Sequence, residues 1–268
     1  MTYPVLCGAI VITTANQGIR FKEGVNTNTA TIATGTYYLR GDGAAGDLLP
    51  AIVTALQAAN ASANTYTATV SRNIDAASAH TTVTITRATG ADNFQILWAD
   101  ALTTFDETLL GFTANTVDDG NPKTSTQACA ACWVSTDILR ELEPFGERIA
   151  SVPRRANGGV VGVSRSAHMT SWAIGFAFVA EARMLKRRAL SVDGDTLEGF
   201  VKRFGAGAAF EVHETALSSG TTLAAISAST LVAVMHWSEE TVSGFRPRRI
   251  GPGVPLYDLD TVAHEQVV

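Results

Sequence analysis

The sequence predicts a mainly β (α+β) protein: a small α+β module with one helix over residues 1–124, then a β-sandwich-like, β-rich domain over residues 125–268. Three observations lead to this reading. Short runs rich in Thr, Ile, Val and Tyr recur along the chain and alternate with period two, as half-buried strands do. In the first half one run, Asp47 to Ala59, has the period of a helix. Between the halves lies a polar stretch, Thr113 to Ser125, holding Asp118-Asp119-Gly120-Asn121-Pro122, which is turn and linker chemistry.

Taken in order, Ile10 to Thr14 and Ile19 to Lys22 read as strands joined by Asn16-Gln17-Gly18, a hairpin signal. Thr29 to Thr34 and Thr36 to Leu39 follow as strands, and Gly41-Asp42-Gly43 breaks the chain. In the helix, Asp47 suits the N-cap and Pro50 falls in the first turn, where a missing N–H costs little. Leu48, Ile52 and Leu56, with Leu49 and Val53 beside them, form one apolar stripe for a sheet to cover. Asn60 and Asn64 mark its end. Thr65 to Ser71 and Thr81 to Arg87 alternate apolar and hydroxyl residues, and Phe94 to Trp98 is so continuously apolar that a central strand is expected. Phe105 to Leu110 reads as a helical turn closed by Gly111. Strands around a lone helix make an α+β unit.

Beyond the linker, Ala128 to Val134, Val160 to Ser164, Ser171 to Ala182, Phe210 to His213 and Thr230 to Trp237 read as strands. Asp193 to Phe204 reads as an amphipathic helix with Leu197, Phe200, Val201 and Phe204 on one face, ended by Gly205 and Gly207. Arg246 to Ile250 and Leu256 to Val262 close the chain. Long antiparallel strands with one helix suggest sandwich-like packing.

Charge narrows the function classes. The hydrophobic fraction is 46% but only 17% of residues are charged, against about 25% in average domains. Thr, Ser, Asn and Gln supply the polar surface instead, which suits a subunit that covers itself with its own copies. A net charge of -5 argues against a dedicated nucleic-acid binder. Three cysteines, Cys7, Cys129 and Cys132, make no disulfide framework and read as reduced thiols. The first residues lack a basic run, so no signal peptide is expected. No stretch nears the roughly 20 apolar residues of a membrane span.

Motifs for chemistry are sparse. Cys129-Ala130-Ala131-Cys132 has C-x-x-C spacing, but neither Cys7 nor His80, His168, His213, His236 and His264 supplies a second zinc-binding pair. On a strand the two thiols would point to opposite faces, as small buried groups. Gly41 to Gly46 lacks the Gly-Lys-Ser/Thr ending of a phosphate loop and reads as a turn. Asp106-Glu107, Asp118-Asp119 and Glu239-Glu240 are adjacent pairs and make no catalytic dyad by themselves. Gly162-Val163-Ser164-Arg165-Ser166 lacks the second glycine of a nucleophile elbow. No catalytic, cofactor or metal residue is assigned, and an enzyme is not expected. Three basic clusters remain: Arg154-Arg155; Arg183, Lys186, Arg187 and Arg188; and Arg246, Arg248 and Arg249. They read as solvated or salt-bridged charges, or as a contact face for DNA or an acidic partner ring.

The N-terminal segment resembles a small module of tailed-bacteriophage structural proteins. The resemblance rests on Ile19 and Phe21, Thr34-Gly35-Thr36-Tyr37-Tyr38, the helix from Asp47, Thr65-Tyr66, Phe94-Gln95-Ile96-Leu97-Trp98 and Leu109-Leu110-Gly111-Phe112. Phe200 to Phe210, Phe245-Arg246-Pro247-Arg248-Arg249-Ile250 and Leu256-Tyr257-Asp258-Leu259 are similar to the later parts of phage tail proteins. It implies a virion subunit assembled in the host cytoplasm: a tail tube, tail-tip or baseplate component. Its partners would be copies of itself and other tail or neck proteins, with DNA contact in a tube lumen as a further role for the basic clusters and no membrane partner. The rival expectations are a head decoration or connector protein, and a carbohydrate-binding adhesin, which would need Trp133, Trp172 or Trp237 exposed in a groove.

Overall fold

The computed structural model describes residues 2–60, 64–74, 81–89, 93–113, 121–134, 139–148, 169–180, 196–205, 208–237, 239–243, 245, 248–249 and 256–265; in 139–148, 169–180, 239–240, 248–249 and 256–265 the backbone alone is described. The protein is mainly β. Every strand pair among the described residues is antiparallel.

The largest sheet runs β10 (Cys132–Val134), β1 (Tyr3–Gly8), β13 (Ala209–Thr215), β16 (Leu231–Trp237), β18 (Leu256–Glu265), β12 (Met169–Ala180) and β11 (Leu139–Arg148), with β17 (Arg248–Arg249) also paired to β18. Its first strand, β1, was not foreseen. YPVLCG opens with Pro in its second position and has no alternation, and every residue of it is buried. An unbroken apolar strand is what burial on both faces produces. The sheet therefore joins the chain before residue 124 to the chain after it. Further hydrogen bonds cross the same expected boundary: Cys129 N–H donates to Thr81 O at 2.9 Å and Ala130 N–H to Thr108 O at 3.0 Å.

Smaller sheets hold the first half. β3 (Gly18–Glu23) lies between β4 (Asn26–Thr31) and β8 (Phe94–Ile96); β2 (Ile10–Ile12) pairs with β5 (Gly35–Tyr37). The hairpin expected at Asn16-Gln17-Gly18 does not form. Asn16 instead folds its side chain onto Thr13, whose N–H donates to Oδ1 at 2.6 Å, and β2 and β3 diverge to different partners. The hairpin is one strand later, between β3 and β4, where Glu23 faces Asn26 and Gly24 takes φ 54°. A positive φ at the first central position is what the two-residue hairpin turns need, and glycine adopts it without strain. Likewise Phe94 to Trp98 is an edge segment, not a central strand. Phe94 and Ile96 are buried under the chain, and Trp98 stacks on Phe112 at 5.0 Å.

The expected helix is present as α1 (Leu48–Ala59). The Asp47 side chain accepts from Leu49 N–H, and Leu48, Leu49, Ile52 and Leu56 are buried. The turn closed by glycine is a single 3₁₀ turn, Glu107–Leu110, capped by Gly111 at φ 78°. Beside them, β6 (Tyr66–Arg72), β7 (Thr81–Arg87) and β9 (Lys123–Thr124) form a third sheet, so the end of the presumed linker is a strand. The second expected helix is α2 (Leu197–Arg203), shorter than foreseen because Thr196 caps it by accepting from Gly199 N–H. The remaining elements are β14 (Leu217–Ser219), β15 (Thr222–Leu223) and α3 (Glu239–Ser243). The strand expected at Val160 to Ser164 lies outside the described residues.

One face of the large sheet is closed by α2. Phe200 meets Phe210 edge-on at 6.1 Å, and Phe210 stacks on Trp237 at 4.3 Å. Gly8 of β1 lies directly beneath Phe204, so a Cβ there would stand 2.2 Å from the ring. Gly8→Ala should therefore lower stability by about 1–3 kcal/mol through overpacking, read as a shift in the urea midpoint. Gly205→Ala, with open space around its Cβ, should stay within about 0.5 kcal/mol of the parent.

Candidate functional site

The opposite face of the same strands carries polar chemistry. Strand alternation puts Val5 and Cys7 of β1 on the side away from α2. The register sets Cys7 between Cys132 on β10 and Glu211 on β13, and Val5 beside His213. Arg40, from the loop before α1, and Arg72, at the end of β6, reach down onto this face.

Glu211 is 1% exposed and His213 is fully buried. Arg40 grips the carboxylate with two nitrogens, Nε to Oε2 at 2.8 Å and Nη2 to Oε1. His213 Nε2 lies 3.0 Å from Oε2. Burial alone would raise the Glu211 pKa, but the hydrogen bonds from Arg40 and His213 outweigh it and hold the carboxyl below its ordinary value. An ionised carboxylate only accepts, so Nε2 of His213 carries the proton. The other ring nitrogen, Nδ1, lies 3.1 Å from Thr230 Oγ1.

Carboxylate, imidazole and hydroxyl thus stand in the order of a nucleophilic triad. The hydroxyl is already committed, however. Thr230 Oγ1 accepts from Ser227 N–H and donates to Ser227 O, both at 2.9 Å, within a capping box. The carboxylate is also neutralised by Arg40. This arrangement stores buried charge and clamps the loop before α1 to the sheet.

The second half of the seam is sulfur. Cys7 and Cys132 are fully buried with Sγ atoms 2.7 Å apart, and each thiol also lies near the Leu39 carbonyl, at 3.5 and 3.4 Å. Arg72, 3% exposed, donates from Nη2 to Leu39 O at 2.6 Å and to Arg40 O at 3.1 Å, and the same nitrogen is 3.9 Å from Cys132 Sγ. Among the described residues no carboxylate pairs with Arg72. Burial and the hydrogen bond with Cys132 push the Cys7 thiol up. At Cys132 the contacts with Cys7 and Arg72 outweigh burial and pull the thiol down. Cys129 is pushed up by burial and donates to Leu110 O at 3.1 Å. The C-x-x-C spacing is thus coincidental to the packing. Both of its thiols are buried as expected, but Cys129 sits in the turn before β10, and Cys132 faces Cys7. No group of three or more His, Cys, Asp or Glu residues that could hold a metal ion occurs among the described residues.

Gly41 to Gly46 is a turn whose polar groups serve the loop itself: Asp42 accepts from Ala44 N–H and Asp47 from Gly43 N–H, both at 3.0 Å. A groove of about 430 Å³ opens beside it, with Val53 and Tyr66 in its wall. Asp106 caps the 3₁₀ turn and pairs with Arg203 of α2. Arg183, Lys186, Arg187, Arg188, Arg246 and Arg154-Arg155 lie outside the described residues, as do Asp118-Asp119 and Ser164. Arg248 and Arg249 have their backbones in β17, opposite Asp258 and Tyr257. Trp133 and Trp237 are 0% and 1% exposed, so neither can line the sugar-binding groove an adhesin would need; the Trp172 side chain is outside the described set. No described helix is long and apolar enough to cross a membrane.

Sequence reasoning missed the seam. Glu211 and His213 are two apart on an expected strand, so a shared face was readable. Their partner Arg40 stands 171 residues away, and nothing local announces it. Comparison of the chain with protein-family models, with curated proteins and with solved structures returned no match.

Proposed function

We propose that this chain is a structural subunit of a tailed-bacteriophage particle, a tail component whose task is docking against its own copies. The observation that carries this reading is the outer face of β6–β7–β9. Thr67, Thr69 and Ser71 of β6 lie opposite Thr86, Thr84 and Thr82 of β7, and Thr124 of β9 lies opposite Thr84, hydroxyl to hydroxyl at 2.9 Å. The cations of these strands, Arg72, Arg87 and Lys123, are turned inward at 3%, 6% and 3% exposure. Hydroxyls face out and charges face in.

Such a face meets its own copy without repulsion, whereas a charged face opposes its like. Among the described residues β6 is an edge strand, its end tied to β15 by the Asn73–Thr222 bridge; the rest of that edge offers main-chain groups for pairing, and closed rings multiply a modest contact by symmetry. The seam supports the same reading, since Glu211, His213 and Arg40 are spent on one another and Thr230 on Ser227. The resemblance to phage tail proteins agrees with it. The basic clusters around Arg183 and Arg246 would then set register against neighbouring tail or neck subunits, or face DNA in a tube lumen.

Electron microscopy of the purified protein and of virions, with light scattering for mass, tests the proposal. Rings or stacks are expected, as stable at high salt as at low because the face is uncharged. Thr69→Lys with Thr84→Lys should weaken self-association at least about tenfold, the factor that roughly 1.4 kcal/mol of like-charge repulsion gives. A wild-type chain that stays monomeric and is missing from purified particles would overturn it.

A further inference from the structure

We propose that Cys7 and Cys132 are a redox-active pair that closes to a cross-strand disulfide, with Cys132 as the attacking sulfur and Cys129 as a bystander.

The register makes the bond geometrically ready. Gly8 N–H donates to Ala131 O at 2.9 Å, while Ala131 N–H turns to Leu109 O, so Gly8 opposite Ala131 holds a hydrogen-bonded position of the ladder through one bond. Pairs alternate along an antiparallel ladder, and Cys7 opposite Cys132 is therefore a non-hydrogen-bonded pair. In such pairs the Cα atoms are about 4.5 Å apart, inside the range a disulfide spans. The two side chains share one face, and their sulfurs are already in contact at 2.7 Å. Cys129 lacks this relation: its thiol turns to Leu110 O.

Arg72 gives the pair its direction. A buried guanidinium needs a compensating charge, and its Nη2 lies 3.9 Å from Cys132 Sγ. The arginine thus favours a thiolate at Cys132, which is the nucleophilic form. Access follows from the sheet order. β10 is three residues long and, among the described residues, is paired with β1 alone, with Cys132, Trp133 and Val134 all fully buried, so glutathione reaches Cys132 when this short strand opens locally.

With oxidised glutathione as the oxidant, the Cys132 thiolate attacks one glutathione sulfur. The glutathione S–S bond breaks, a mixed disulfide forms, and one glutathione thiolate leaves and takes the Cys7 proton. The Cys7 thiolate then attacks Cys132 Sγ and expels the second glutathione, which takes a proton from solvent in place of the one Cys132 released. Two protein thiols are oxidised and one glutathione disulfide is reduced to two thiols. The product ties β1 to β10 across 125 residues of chain. It also leaves Arg72 beside a neutral disulfide, so the arginine stabilises the reduced form, and the bond should be readily reversed.

The test is equilibration of the full-length protein in glutathione buffers of graded redox ratio, followed by acid quenching, alkylation and peptide mass mapping. The expected result is one disulfide linking the Cys7 and Cys132 peptides, a mass loss of two hydrogens, and Cys129 alkylated throughout. Cys129→Ser should leave the oxidation curve unchanged. Arg72→Met, if folded by circular dichroism, should reach half-oxidation at a buffer at least tenfold more reducing. Mapping on the wild-type chain decides the matter if that variant does not fold. A Cys129–Cys132 disulfide, thiols that stay alkylatable even in the most oxidising buffer, or zinc released in stoichiometric amount on thiol modification would each overturn the proposal.

Discussion

Replacing Arg40 with Met should lower unfolding stability by about 3–5 kcal/mol, because removing one partner of a buried ion pair strands the other. The stranded group is the Glu211 carboxylate, 1% exposed and, among the described residues, otherwise held by His213 alone. Urea denaturation at neutral pH measures the loss. The double variant Arg40→Met with Glu211→Leu should recover most of it, since replacing both charges by apolar groups of similar size is often near neutral. If the double variant were as unstable as the single one, the loss would come from packing rather than from a stranded charge.

The same pair fixes the acid response. The Glu211 pKa is lowered in the folded protein, so the folded state holds the proton less tightly than the unfolded chain. Its contribution is present above the unfolded value, about 4.3 for Glu, and is lost as pH falls through the folded value. The gap in stability between the parent and Glu211→Gln should therefore be full at neutral pH and shrink below about pH 4. A gap that widened on acidification would reverse the assignment of charge at Glu211.

Gly111→Ala should be the most damaging substitution among the described glycines, costing about 2–5 kcal/mol. Its φ of 78° is left-handed, which costs a residue with a side chain about 1–2 kcal/mol. A Cβ would also stand 2.2 Å from the Gln127 carbonyl oxygen, a backbone atom that cannot rotate away, and such overpacking adds about 1–3 kcal/mol. Gly111 holds more than a turn: its own carbonyl accepts from Gln127 N–H at 3.1 Å. The substitution should thus loosen the course from the 3₁₀ turn into β10, read as faster hydrogen exchange at Ala130 and Ala131, whose N–H groups donate to Thr108 O and Leu109 O.

What the sequence determined by itself was local. Asp47 as a cap, the Leu48, Ile52 and Leu56 stripe, the alternation of Thr81–Arg87 and the glycine stop at Gly111 are each written in a few consecutive residues, because caps, helical period and strand period act over one or two turns. The mainly β class followed from their sum. Tertiary structure alone decided where β1 inserts, why Phe94 to Trp98 lies at an edge, and which groups meet Glu211 and Cys132. Those outcomes depend on pairings between residues such as Cys7 and Cys132, or Arg40 and Glu211, separated by 125 and 171 positions. Such pairs form only when long-range packing makes the meeting worth the chain entropy it costs, and no short pattern in the chain encodes that balance.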